Sequence, residues 1–298
     1  MPQSTLDPHV DEYGLLTDLY QLTMAACYCG EGLADRPASF ELFIRRLPAD
    51  FGYLIAMGLT QALEYLEHFA FNTDQIQALQ ATGCFPNAPQ QFWELLQNQP
   101  FQGQVWAVPE GTAIFANQPL LRIEAPLWQA QIVETYLLNT LNYQTLIATR
   151  AARLRDMAEP GALILEFGSR RAFSPQASLW AARAAIAAGL DATSNVLAAL
   201  KLKQRPTGTM AHALVMALTA LEGSEADAFQ AFHRYFPGGA LLIDTFNTVA
   251  AAQALAARVR QGEEIPAVRL DSGDLIELSQ KVRQLLPDTK IFASGDLD

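Results

Sequence analysis

The sequence predicts an α/β protein: an N-terminal α+β domain over residues 1–158, then an irregular, incomplete α/β (TIM-like) barrel over 159–298. Three observations carry this expectation. Short apolar runs at 162–167, 240–243, 267–270 and 290–293 each give way to Gly, Asp or Ser. Helical stretches of roughly 12 to 18 residues separate most of them, the rhythm of parallel strands buried on both faces. Before Pro160-Gly161 that rhythm is absent, and period-two segments, turns and helices alternate instead.

The elements follow in order. Leu15, Leu16, Leu19, Leu22 and Met24 approximate a 3.6-residue period and predict an amphipathic helix. Phe40, Leu42 and Ile44 alternate with Glu41, Phe43 and Arg45, a half-buried strand. Residues 53–69 read as helix. Stretches at 104–108, 112–115 and 120–123 are β-prone and separated by Pro109-Glu110-Gly111 and Asn117-Gln118-Pro119, so a small antiparallel sheet is expected there. Residues 129–157 are helical in pattern, and the alanine-rich segments 181–188 and 250–257 suit close-packed barrel helices. A complete eightfold barrel takes ~250 residues, more than 162–298 supplies. The expectation is therefore an unclosed barrel in a C-terminally truncated chain, with a strand edge exposed beyond Ser294-Gly295-Asp296.

Composition narrows the functional classes. Half of the 298 residues are apolar and 17% charged, enough for a sizeable core, and no run approaches the ~18 consecutive apolar residues of a membrane span. Residues 1–11 lack the positive and apolar regions of a secretory signal, so a cytoplasmic protein is expected. Three cysteines do not make a disulfide framework; Cys27 and Cys29 are expected in the core. A net charge of −11 argues against nucleic acid as a partner and requires any anionic substrate to find a local basic pocket. Arginines cluster at Arg45-Arg46, at Arg150, Arg153 and Arg155, and at Arg170-Arg171.

Three constellations carry chemistry. Glu166-Phe167-Gly168-Ser169-Arg170-Arg171 puts arginines at the carboxyl end of a strand, where barrel sites are built and where a guanidinium fork suits phosphate or carboxylate; a surface pair holding a neighbouring helix is the alternative. Gly208-Thr209-Met210-Ala211-His212 leads into a helix whose first turn attracts anions, and His212 there is a base, acid or nucleophile, or else a capping or core histidine. His9, His68 and His233 read as surface residues. In Arg269-Leu270-Asp271-Ser272-Gly273-Asp274, the carboxylates suit ribose hydroxyls or a hydrated Mg²⁺, while Ser272 and Asp274 are also ordinary helix-capping types. Asp244-Thr245 and Ser294-Gly295-Asp296 end neighbouring strands in the same manner, so polar groups are expected to converge at one rim.

Taken together these segments, with Thr17-Asp18-Leu19-Tyr20-Gln21-Leu22-Thr23-Met24 and Ser194-Asn195-Val196-Leu197-Ala198, resemble the nicotinate phosphoribosyltransferases, in order and through the whole chain. The resemblance implies a barrel of the type II phosphoribosyltransferase kind and a homodimer with shared active sites. It implies that Tyr20 stacks on the pyridine ring of nicotinate in the partner subunit, with Phe167 on the other face. Arg170 would hold the nicotinate carboxylate or a phosphate. Arg269, Asp271, Asp244, Ser272 and Gly273 would bind phosphoribosyl pyrophosphate (PRPP), and His212 would be a phosphohistidine formed from ATP. Mg²⁺ would accompany the pyrophosphate. Nicotinamide-using relatives resemble this chain but carry an aspartate where Ser194 stands, which points to nicotinate. A glycine-rich loop for the 5′-phosphate, present in the family, lies beyond Asp298. A nicotinamide or quinolinate phosphoribosyltransferase, and an inactive truncated homologue acting as a binding partner, are the competing readings.

Overall fold

The computed structural model of this chain describes residues 6–97, 99–295 and 297, so Asp296 of the last expected rim segment and residues 1–5 of the N-terminal one lie outside the described residues. The backbone forms two compact units, Met1–Pro206 and Thr207–Asp298.

The first unit opens with a 3-10 turn, Val10–Leu15, followed by α1, Leu19–Gly30. The helix expected from Leu15 thus starts four residues later, because Asp18 is extended and its carbonyl takes the first helical hydrogen bond, from the Gln21 N–H. One face of α1 buries Gln21, Leu22, Ala25 and Ala26. With those positions inside, Cys27, expected in the core, is turned out and exposed, while Cys29 is half-buried and packs against the core.

Strands β1 (Pro37–Phe43) and β2 (Leu54–Ile55) come next, then helices α2 (Leu59–His68), α3 (Thr73–Ala81) and α4 (Gln90–Leu96). Strands β3 (Gln104–Ala107), β4 (Ala113–Ile114) and β5 (Pro119–Pro126) complete the β part, and α5 (Leu127–Ile132) leads into the long α6 (Glu134–Met157). Of the three stretches expected to form one antiparallel sheet, β3 and β5 pair in it; β1 joins on the other side of β5, in the order β1-β5-β3, and β4 pairs instead with β2 in a separate ribbon. The single helix expected over 53–69 is divided. Ile55 and Met57 donate their backbone N–H to Thr149 and Thr145 of α6, at 2.8 and 3.2 Å, and so cannot join a helix. Gly58 then takes φ +100°, with its Cβ position only 2.9 Å from the Thr140 carbonyl, before α2 starts. The core between sheet and helices is aromatic: Tyr65 stacks on Tyr136 at 3.9 Å, and Phe69, Phe71 and Trp128 pack edge to face or tilted beside it.

Beyond α6 the same unit carries β6 (Leu165–Glu166), a 3-10 turn Ser169–Arg171, α7 (Pro175–Ala187), β7 (Ala192–Thr193) and α8 (Val196–Lys201). Strands β6 and β7 pair in parallel, Glu166 opposite Thr193. Arg155 organises this region: its guanidinium donates to the carbonyls of Gly189 and Ala162 at 2.8 Å each and to Asp191 at 2.5 Å. The N–H of Ile164, then Arg155, hold the Asp191 carboxyl below its ordinary pKa. Arg153 lies over Phe51 and donates to the Asp50 carbonyl.

The second unit contains α9 (His212–Glu222), α10 (Glu225–Tyr235), β8 (Leu241–Leu242), α11 (Thr248–Arg260), β9 (Ala267–Leu270), α12 (Leu275–Leu285) and β10 (Lys290–Ala293). Its sheet is parallel, in the order β10-β9-β8. Leu241, Leu242, Ile243, Val268 and Leu270 are buried in the sheet, against Phe229, Phe232, Leu255 and Val282 of the helices. Side chains of Ser224, Asn247 and Asp274 cap α10, α11 and α12. Among the described residues no helix is long and apolar enough to cross a membrane.

Candidate active site

Strand register places the polar residues of the second unit. Leu242 pairs with Arg269 and Leu270 with Ala293, so Asp244 stands level with Asp271, and Asp271 with Ser294, just past the strand ends. Asp244 accepts from the backbone N–H of Asp271 at 2.8 Å and from the Ser272 hydroxyl at 2.6 Å. Asp271 in turn accepts from the Ser294 hydroxyl at 2.5 Å. Gly273 makes the turn at φ +81° that lets Asp274 cap α12.

His212 is the first residue of α9 and half-buried. Its Nδ1 lies 3.1 Å from the Thr245 hydroxyl and its Nε2 3.7 Å from Asp271 Oδ2. From the middle strand, Arg269 reaches back to donate to the Thr209 hydroxyl at 2.6 Å, tying β9 to the turn that precedes α9. The expected convergence of Asp244, Thr245, Arg269, Asp271, Ser272 and Ser294 is therefore present within this unit, and His212 and Thr209 join it. His233, expected on the surface, is half-buried, and its Nε2 lies 2.9 Å from the Gly239 carbonyl oxygen.

One carboxyl of this region had no signal in the sequence. Glu225, at the start of α10, is held above its ordinary pKa, first by burial and then by the charge of Asp244. Among the described residues, neither Glu225 Oε1 nor Asp244 Oδ1 has a hydrogen-bond partner, although both oxygens are buried.

In the first unit, Phe167 and Ser194 follow the paired Glu166 and Thr193 and lie level at the ends of β6 and β7. Phe167 and Ser194 are half-buried, and Arg170 is exposed on the adjoining 3-10 turn. A hydrogen-bonded scaffold fixes this rim. Glu166 accepts from the Thr193 hydroxyl at 2.5 Å and from the N–H of Gly168, while the Ser194 N–H donates to the Glu166 carbonyl at 2.9 Å. Asn195 caps α8 and donates to the hydroxyls of Ser169 and Ser178 at 3.1 and 2.9 Å. Burial, then Glu166, raises the nearby Tyr143 phenol above its ordinary pKa. Tyr20 belongs to a different element, α1, where it is 48% exposed and turned toward Glu134 of α6.

Two family models match the sequence: the nicotinate phosphoribosyltransferase (NAPRTase) N-terminal domain over residues 15–142, and the NAPRTase family over 162–292. The chain belongs to the nicotinate phosphoribosyltransferase family. The nicotinate phosphoribosyltransferase of Bacillus subtilis is 42% identical over 97% of this chain and 59% of its own length. One from Mycobacterium tuberculosis is 41% identical over 95% of this chain and 61% of its own length. The chain thus spans about three fifths of the curated nicotinate phosphoribosyltransferases it matches. The crystal structure of the human nicotinic acid phosphoribosyltransferase superposes with a TM-score of 0.78 at 32% identity, covering 90% of this chain and 63% of that one. A nicotinate-nucleotide pyrophosphorylase structure from Pyrococcus furiosus shares the fold, with a TM-score of 0.79 at 24% identity over 100% of this chain and 70% of that one.

Proposed function

We propose that this protein joins nicotinate to PRPP, giving nicotinate mononucleotide and pyrophosphate for NAD biosynthesis and salvage, with ATP hydrolysis coupled to the reaction. The observation that carries the reading is the rim of the parallel sheet, where Asp244, Asp271 and Ser294 stand level and His212 faces Asp271. Membership of the nicotinate phosphoribosyltransferase family supports the reading.

The roles follow from the residue types. Phe167 offers a face for the pyridine ring, Arg170 a guanidinium for the nicotinate carboxylate or a phosphate, and Ser194 a neutral hydroxyl that does not repel a carboxylate. Arg269, Asp271, Ser272 and Gly273 take PRPP, with Asp271 at the ribose hydroxyls and Asp244 holding the Asp271 backbone in place. The pyridine nitrogen gives its lone pair to C1 of the ribose as the C1–O bond breaks and its electrons leave on pyrophosphate. No proton is removed from the nucleophile, so alignment and charge compensation supply most of the rate. The buried, unpartnered Oδ1 of Asp244 suits a Mg²⁺ carried in with the pyrophosphate, which Asp244 and Asp271 would hold and which would offset the charge of the leaving group.

His212 is assigned as the phosphohistidine. The carboxylate of Asp271 favours the proton on Nε2, which leaves the lone pair on Nδ1 against the Thr245 hydroxyl. Attack of that nitrogen on the γ-phosphorus of ATP forms the N–P bond and releases ADP. We further assign a domain boundary near 158/159, an irregular α/β barrel for the later part, a homodimer that brings Tyr20 to the partner's pyridine site, and a cytoplasmic location. A three-way assay with nicotinate, nicotinamide and quinolinate under matched PRPP and Mg²⁺ tests the reading. Nicotinate is expected to be turned over fastest; faster turnover of either competitor overturns it.

A further inference from the structure

Besides the apolar packing of Leu22, Ala25 and Ala26, the N-terminal segment that carries Tyr20 is fastened to the start of α6, more than a hundred residues away, through a set of polar groups. The Thr17 hydroxyl donates to the Ile132 carbonyl at 2.9 Å. The Thr135 hydroxyl donates to Asp18 at 3.0 Å and accepts from the Asp18 N–H at 3.4 Å. At the centre is Glu134. Its Oε2 accepts from the side-chain amides of Gln21 at 3.0 Å and Gln131 at 3.1 Å, and these glutamines also bond each other. Its Oε1 accepts from the Tyr20 hydroxyl at 3.5 Å.

Gln21 and Gln131 are 0% and 4% exposed. Burying two amides costs free energy unless they are bonded, and a pair of leucines would have filled the volume at less cost. What the amides achieve is to fix the plane of one carboxylate, leaving its other oxygen aimed at a half-exposed tyrosine. Glu134 is also the first residue of α6, where the helix favours a negative charge. Tyr20 keeps its proton there: loss of hydration, then the charges of Glu134 and Asp18, raise its phenol above the ordinary pKa, which suits a ring held by its O–H.

We propose that Glu134 is a positioning residue that fixes the Tyr20 ring for recognition of the planar aromatic substrate, an inference that rests on the pyridine-stacking role assigned to Tyr20 above. Tyr20→Phe keeps the ring and removes its anchor. In Glu134→Gln, an amide donor replaces one carboxylate oxygen in a site surrounded by donors. Each single variant is expected to raise the KM for nicotinate about fivefold, the loss of one modest hydrogen bond. In each, kcat and the KM for PRPP should stay within about twofold, and the thermal midpoint within about 3 °C, of wild type. The double variant should match the singles. An effect of Glu134→Gln that persists undiminished in the Tyr20→Phe background, or that falls equally on PRPP, overturns the proposal.

Spectrophotometric titration of the phenols reads the anchor without turnover. Glu134→Gln should lower the midpoint of one tyrosine, and that change should be absent when Tyr20 is already Phe. If wild type makes no nicotinate mononucleotide, the functional reading fails while this titration still decides the anchor: no lowered midpoint overturns it.

Discussion

At the residue scale, Asp244 and Glu225 of the second unit stand in opposite situations: one organises its neighbours and the other is buried beside a charge of the same sign. Asp244 takes both the Asp271 N–H and the Ser272 hydroxyl on one oxygen, so Asp244→Ala should let the 271–273 turn relax. We expect the KM for PRPP to rise about tenfold or more, read from initial rates, with that for nicotinate little changed. Glu225 is the opposite case. Burial and Asp244 raise its pKa in the folded protein, so the folded state holds a proton that the unfolded chain releases at ~4.3. Its contribution is favourable below that value and is lost as pH rises toward the raised folded value. Glu225→Gln should therefore raise the thermal midpoint at pH 7 and have no such benefit at pH 4, as followed by circular dichroism. These two carboxyls were unequally legible: Asp244 ends an apolar run and announces itself, whereas nothing near Glu225 shows that a strand 16 residues later will bring a charge to it.

At the scale of elements, the antiparallel sheet and the four apolar runs of the later half were readable because each has enough residues for period or length to register. β7 has two residues in no apolar run of its own, and β2 lies in the apolar stretch 53–57, which reads equally as the start of a helix. Long-range side-chain bonding was equally hidden, as in the Glu134 anchor and in the contact that joins α7 to the N-terminal elements. There Arg183 donates to both oxygens of Glu110, at 3.1 and 2.6 Å, and to the Thr60 hydroxyl at 2.9 Å, while the Gly58 N–H donates to Glu110 at 2.9 Å. Burial raises the Glu110 carboxyl, but hydrogen bonding and charge from Arg183 outweigh it and the net pKa is lowered. A depressed carboxylate stabilises the fold above its unfolded pKa of ~4.3 and loses that stabilisation as pH falls through the folded value. Arg183→Ala should cost about 2 kcal/mol at pH 7, discounted for partial exposure, measured by urea denaturation; the difference from wild type should shrink on acidification below pH 4.

At the scale of the molecule, chemistry is distributed between two rims of parallel strands. The level pair Phe167 and Ser194 closes one, and the level trio Asp244, Asp271 and Ser294 closes the other. Register, a property of the sheet, turns separate short motifs into sets of neighbours, which explains why the motifs were legible one by one while the bonds from Thr193 to Glu166, Asn195 to Ser178 and Arg269 to Thr209 emerged only in three dimensions. The proposed function gives residues of each rim a role in nicotinate phosphoribosyl transfer. Labelled nicotinate incubated with the protein, Mg²⁺ and ATP, with and without PRPP, tests that claim most directly. The account predicts PRPP-dependent nicotinate mononucleotide that falls about a hundredfold or more in Asp271→Asn. Product formation unaffected by that substitution, or no product with PRPP present, would contradict it.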